Sequence, residues 1–275
     1  MNQKSIDVVD FGSFLKGNEA EKRKIGTGII ESLKRCGFVY LINHPLPDEK
    51  IVEMFNWSKR FFALPLETKM LAPHPPSGTH HRGYSPPGLE KVVQHVYDKQ
   101  EASEKRMNAP DVKESFECGR GEENGDMANI WLPDGILPGF KEACLDFFWT
   151  CYQVEHSILH ALAIGFGLPE EYFVSKHQVP DNQLRLLHYP SISEDALRNE
   201  TVARIGAHSD FGTITLLLQD EVGGLEIEDP NKPGTFVDFD TIVDCIPGSW
   251  SKDNPKRYEP ISAREYIMKR LEMNY

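Results

Sequence analysis

The hydrophobic period of this chain changes at Asn182, and that change limits the folds open to it. Upstream, apolar residues recur at helical spacing. Phe140, Cys144, Phe147, Cys151, Val154, Ile158 and Ala161 hold one face of a long segment that runs to Leu168. Residues Glu19 to Cys36 place Ile25, Ile29, Leu33 and Cys36 on one helical face, with Gly37 as the stop. A further helix is expected within "LPDEKIVEMFNWSKRFFALP". Ile51, Phe55, Ser58 and Phe62 align there, Asp48 is placed as the N-cap, and Pro65 lies beyond the end. Between the first two helices "FVYLI", from Phe38, reads as a buried strand.

Downstream of Asn182 the runs become short and extended. Asn182 to Pro190, Thr201 to His208, Thr213 to Asp220, Gly224 to Asp229 and Thr235 to Val243 are strand candidates separated by turn residues. Gly223 and Gly224 in "DEVGGLEI" supply a hairpin turn, and Ser262 with Glu265 marks a capping box for a closing helix. "PHPPSGTHHRGYSPPG", from Pro73, is read as a loop without regular structure, and Glu90 to Asp126 gives no clear period. A helical front followed by short strands indicates an α+β chain whose core is a barrel or jelly roll. The division expected is residues 1–130 as a mixed helical region and 131–275 as long helix plus jelly roll, acting as one unit.

Composition excludes several classes of function. The net charge is −12, from 42 acids against 30 Lys and Arg, with no basic stripe to follow a phosphate backbone, so nucleic acid is not an expected partner. The opening residues lack the apolar core of a signal peptide, and the most apolar helical stretch, from Ile158, is too short to span a bilayer. Five cysteines without a Cys-x-x-Cys pattern fit reduced thiols, so a cytoplasmic protein is expected; a monomer is expected as well. "GFGLPE" ends a helix rather than opening one and lacks the third glycine, and no Gly-Lys-Ser/Thr occurs; nucleotide chemistry is therefore not indicated.

The candidate chemistry lies in "RIGAHSDFGTITLLLQD", from Arg204 to Asp220. Residues i and i+2 of an extended segment share a face, so His208 and Asp210 can converge on one cation. Two histidines and one carboxylate on one face of an octahedron hold non-haem iron(II) and leave three positions open. His-x-Asp alone is weak, because a chain with ten histidines produces it by chance, and a surface His beside a turn carboxylate is the competing reading.

Eight ordered segments decide between the two. "IDVVDFGSF", "LKRCGFVYLINHPLP", "SKRFFALPLETK", "RGYSPPGLE", "DVKESFECG", "NIWLPDGILPGFKEAC", "RLLHYPSI" and "GAHSDFGTITLLLQDEVGGLEI" follow one another from near the first residue to about Phe236. In this order the chain resembles the isopenicillin N synthase-like family of 2-oxoglutarate/iron(II) dioxygenases. The resemblance implies a double-stranded β-helix (jelly-roll) core. It also implies Fe(II) held by His208, Asp210 and a distant histidine, and 2-oxoglutarate as cosubstrate anchored by the Arg of an Arg-x-Ser motif. Tyr189 in "LHYP" matches a tyrosine that touches the cosubstrate in relatives, and a half-buried strand tyrosine is its bland alternative. The activity implied is oxidation of a small-molecule metabolite, by hydroxylation or desaturation, with succinate and CO2 as co-products and ascorbate as an accessory reductant.

The chain departs from that pattern at two points. No histidine follows His208, and no Arg-x-Ser occurs anywhere; Arg257, Arg264 and Arg270 stand in "RYE", "REY" and "RLE". An internal deletion near Val237 to Phe239 would remove the second His, the Arg and several strands, leaving the barrel incomplete. Such a chain could be a catalytically silent splice or deletion variant, or a binding protein. No other histidine is expected to substitute. His188 alternates to the face opposite Tyr189, His156 and His160 are read as helix-surface residues, and His80 and His81 as solvated or near a substrate entrance.

Overall fold

The computed structural model describes residues 6–77, 79–90, 111–121, 127–193, 195, 204–205, 208, 210, 212–220 and 222. Strand β1 (Val8–Asp10) leads directly into helix α1 (Phe11–Lys16), and Asp10 caps that helix by accepting from the Gly12 N–H at 3.0 Å. Helix α2 (Glu19–Cys36) carries a full capping box. Asn18 accepts from the Ala20 and Glu21 amides, and the Glu21 carboxylate accepts from the Asn18 N–H at 2.8 Å. Gly37 ends it at φ 73°, in the left-handed region that glycine occupies without strain.

Strand β2 (Tyr40–Ile42) pairs parallel with β1, Val9 opposite Leu41. This corrects the expectation of a buried strand, because Tyr40 and Ile42 are 57% and 47% exposed in a two-stranded sheet with one face uncovered. Helix α3 (Asp48–Phe62) begins at the residue assigned as its cap, so Asp48 is its first helical residue and Pro47 takes the cap position. Its buried side centres on Met54, Phe61 and Phe62, with Ile51, Phe55 and Ser58 half-buried beside them. A single turn, α4 (Leu66–Lys69), follows.

The Pro-rich stretch is not structureless, in contrast to the expectation from its composition. It contains β3 (Gly83–Ser85), which pairs antiparallel with β4 (Glu114–Cys118), and β4 pairs with β5 (Leu184–His188). Gly83 makes this possible at φ 83°, where a Cβ would stand 2.7 Å from the Ala72 carbonyl oxygen. That contact accompanies a Pro73–Tyr84 bridge, with Tyr84 N–H donating to Ala72 O at 2.7 Å and His74 N–H to Tyr84 O at 2.9 Å.

The long helix α5 (Phe140–Gly165) forms as expected and runs between α2 and α3 as the central element of the core. An aromatic cluster ties it to the sheet. Phe61, Phe116 and Phe140 stand 4.7–5.1 Å apart centre to centre, and Trp131 lies 5.6 Å from Phe116. Each fully buried ring contributes on the order of 1.5–3 kcal/mol through the apolar surface it withdraws from water. A short 3-10 turn (Val174–Lys176) leads towards β5.

Residues 213–220 form no strand ladder among the described residues, unlike the sequence expectation. They nonetheless keep the period of two. Ile214, Leu216 and Leu218 pack on the core while Thr215 and Leu217 are exposed. Side-chain alternation follows from extended backbone alone, whereas a ladder requires partners, and the segments expected to supply them, 224–229 and 235–243, lie outside the described residues. The 223–224 hairpin and the closing helix at Ser262 lie there too, as do 201–203 of the preceding strand candidate. No helix of the described residues is long and apolar enough to cross a membrane.

Candidate active site

Two side-chain bonds stand on either side of His208 and Asp210 in the sequence. Upstream, the Arg204 guanidinium donates to the Pro190 carbonyl, which joins residue 204 to the end of β5 just past Tyr189. Downstream, Thr213 Oγ1 lies 2.9 Å from His177 Nε2. His177 Nδ1 is 2.8 Å from the Phe173 carbonyl. A carbonyl only accepts, so Nδ1 carries the proton and Nε2 accepts from the Thr213 hydroxyl. Between these two anchors His208 Nε2 stands 3.9 Å from Asp210 Oδ1, with side chains 33% and 51% exposed. A nitrogen and a carboxylate oxygen at that separation can share one cation. Among the described residues no third His, Cys, Asp or Glu groups with them.

Tyr189, expected at the cosubstrate, is 39% exposed at the end of β5, and burial raises its phenol above the ordinary tyrosine value. His177 was not singled out from the sequence. Nothing in "VSKHQVP" marks it, because its role depends on a residue 36 positions away.

The β3–β4–β5 sheet carries a set of charges centred on three buried carboxylates. Glu114 on β4 accepts from Lys69 Nζ at 2.7 Å, lies 2.7 Å from His188 Nδ1, and accepts from the Tyr84 hydroxyl. Burial works against its ionisation, but Lys69, Tyr84 and His188 together hold its carboxyl below the ordinary glutamate value. Glu90 binds Arg185 and lies 3.0 Å from Lys113 Nζ. Glu117 Oε1 lies 2.9 Å from Arg185 Nε, and its Oε2 lies 3.3 Å from His81 Nδ1. Burial again opposes ionisation of Glu117, and the charges of Arg185, His81 and His74 overcome it, setting its carboxyl at about 2.

The remaining histidines divide differently from expectation. His188 serves Glu114 and stacks on Phe62 at 5.4 Å, consistent with its exclusion as a ligand of the pair. His156 and His160 are half-buried rather than surface residues; His156 packs on Tyr152 at 4.3 Å and His160 Nε2 lies 3.2 Å from Glu171. His81 is not solvated, being 6% exposed, because β3 folds the Pro-rich stretch inward. His80 is half-buried, with Nε2 3.2 Å from the Ala128 carbonyl.

Comparison with known proteins converges on one chemistry. Residues 6–134 match the non-haem dioxygenase in morphine synthesis N-terminal family, and residues 180–248 match the 2OG-Fe(II) oxygenase superfamily. The chain is 38% identical over 257 residues to the proline hydroxylase buaE of Petromyces alliaceus, covering 90% of this chain and 77% of that one. It is 37% identical over 234 residues to the 2-oxoglutarate-dependent dioxygenase gloF of Glarea lozoyensis, covering 85% and 70%. A full-length Neurospora crassa protein, crystallised in complex with alpha-KG and thymine, superposes with a TM-score of 0.82 at 32% identity, covering 98% of each chain. Together these matches show that the chain belongs to the 2-oxoglutarate- and Fe(II)-dependent oxygenase superfamily, and so to the oxidoreductases that use those two cofactors.

Proposed function

We propose that this chain holds Fe(II) through His208 and Asp210, binds 2-oxoglutarate beside Tyr189, and oxidises a small polar metabolite with succinate and CO2 as co-products. The observation that carries this reading is the 3.9 Å approach of the two donors between the Arg204 and Thr213 anchors. An imidazole nitrogen and a carboxylate oxygen suit ferrous iron in kind, so the pair fits two places of its coordination shell. Once bound, iron with 2-oxoglutarate supplies the oxidising power. The protein's part is to orient the two donors and to fix the backbone on either side of them.

Paired charges at Glu90, Lys113 and the half-buried Arg185 lie at β5, and a polar substrate suits such surroundings better than a hydrocarbon. The relatives include a proline hydroxylase and the Neurospora crassa protein crystallised with thymine, which fits the same class. We infer further that 1–130 and 131–275 work as one unit with an incomplete jelly roll, and that a stretch is missing near Val237 to Phe239. Two observations support the missing stretch. Each alignment to buaE and gloF takes a smaller share of the relative than of this chain, so those two proteins are longer, whereas the Neurospora crassa protein aligns over 98% of both chains. No histidine follows His208. A cytoplasmic monomer with ascorbate as accessory reductant completes the reading.

The lack of a third donor beside His208 and Asp210 among the described residues favours a second reading, a catalytically silent relative that binds a metabolite or partner. One assay separates them. Purified chain with Fe(II), ascorbate and 2-oxoglutarate should form succinate slowly, and His208→Ala should abolish it. If 2-oxoglutarate is neither bound nor consumed at millimolar concentration, the silent reading stands.

A further inference from the structure

A second set of metal-capable donors lies away from the His208–Asp210 pair. His74 sits on the segment bridged to Tyr84, His81 two residues before β3, and Glu117 on β4. One ligand atom from each lies within 4.8 Å of the other two, and the side chains are 9%, 6% and 0% exposed. We propose that His74, His81 and Glu117 form a structural site for a divalent cation of the zinc type, stapling the Pro-rich stretch 73–85 to the β3–β4–β5 sheet.

Geometry and orientation both support this. Donors around a tetrahedral zinc stand roughly 3.3–3.5 Å apart, so the observed set needs only small side-chain rotations to close on an ion. Ligating imidazoles are held by donating their other ring N–H to a carbonyl or carboxylate. His74 has that arrangement: Nδ1 lies 2.6 Å from the Pro75 carbonyl, which fixes the proton there and makes Nε2 the ligating atom. Glu117 is held through its other carboxylate oxygen, as an acceptor. Arg185 Nε and Ser115 Oγ hold Oε1 at 2.9 and 3.3 Å, while Oε2 is turned towards His81.

Two nitrogens and one carboxylate oxygen select zinc, cobalt or iron over calcium and magnesium, which prefer all-oxygen shells. The backbone around the site is already set by the Gly83 turn and the bonds of His74 and Tyr84 to one another and to Ala72.

The test uses the full chain with His208→Ala and Asp210→Ala together, so that the His-x-Asp pair cannot hold the ion. After chelator treatment and dialysis against zinc, metal analysis should find about one equivalent per chain, and the thermal midpoint should rise with zinc concentration. Cobalt in its place should give the intense visible absorption bands of a near-tetrahedral site. His81→Ala added to this background should weaken zinc binding by at least about 100-fold, and Glu117→Gln by a comparable factor. Failure of the double variant to take up zinc at micromolar concentration overturns the proposal without any change at the cluster itself. Zinc uptake that survives His81→Ala overturns it equally.

Discussion

Gly26 of α2 and Gly165 of α5 meet backbone to backbone. A Cβ on Gly26 would lie 2.4 Å from the Ala161 carbonyl oxygen and 2.8 Å from the Gly165 nitrogen, and one on Gly165 would lie 2.4 Å from the Gly26 oxygen. All of these opposing atoms are main chain and cannot rotate away. The two longest helices can therefore cross this closely only because neither residue has a side chain. This contact joins the front of the chain to the helix that precedes the candidate site.

Gly26→Ala is expected to destabilise the protein. Alanine gains about 1 kcal/mol in helix propensity over glycine, but forcing the helices apart costs on the order of 1–3 kcal/mol or more, and the clash should win. Gly28, two residues along the same helix, has nothing within 4 Å of an added Cβ. Gly28→Ala should show the propensity gain alone, up to about 1 kcal/mol of added stability. Urea unfolding of both variants tests the pair; a Gly26→Ala midpoint at or above the parent's would refute the close-approach account.

Glu114→Gln should be costly and should alter the acid response. The carboxylate neutralises Lys69, which is 6% exposed, so removing its charge leaves a buried ammonium uncompensated at a cost of roughly 3–5 kcal/mol. The folded value of Glu114 lies below its ordinary 4.5, so its contribution is fully present above that pH. It is lost as pH falls below 4.5 towards the folded value. The parent should therefore lose stability in that window, and Glu114→Gln should lose less. Equal acid slopes for the two chains in urea titrations at several pH values would contradict this.

Local signals made the helices legible and left the sheet obscure. The spacing of Ile25, Ile29, Leu33 and Cys36, with Gly37 as the stop, marks α2 at its observed bounds, because each cue lies within a turn or two of what it governs. Strands β3 and β4 have no such local cue. Gly83–Ser85 stands among prolines and glycines and is three residues long, and its strand character comes from pairing with residues some thirty positions away. The spacing of two that singles out His208 and Asp210 is a local cue, and their donor atoms stand 3.9 Å apart. The His74–His81–Glu117 cluster has no such cue, since it depends on the β3–β4 register. His177 was missed for the same reason, its partner Thr213 being remote in sequence.

The described cysteines should resist modification in the native protein. Cys36, Cys118 and Cys144 are buried, burial pushes the Cys151 thiol up to about 12, and Cys144 is raised by burial and by the adjacent Cys118. At pH 8 the reactive thiolate of Cys151 is then a fraction on the order of 10⁻⁴. In a Cys245→Ser background, a thiol reagent at pH 8 should label little until urea is added and then label four groups per chain. Rapid native labelling of one or more groups would show these sites to be more open than their burial indicates.

His177 should influence metal affinity without touching the metal. Its Nδ1 is fixed on the Phe173 carbonyl, so Nε2 accepts the Thr213 hydroxyl and restrains the backbone three residues beyond Asp210. His177→Ala removes that restraint while His208 and Asp210 stay in place. Loss of such supporting contacts around a metal commonly weakens affinity by about 10–100-fold. The same drop is expected for Thr213→Val, which keeps the shape of the side chain and loses only the hydroxyl, whereas Thr213→Ser should restore binding. Anaerobic Fe(II) titration of the four chains, each checked for an unchanged unfolding midpoint, provides the measurement. If His177→Ala and Thr213→Val bind Fe(II) as tightly as the parent, the tether does not position the pair; if Thr213→Ser fails to recover what Thr213→Val loses, the hydroxyl is not the group responsible.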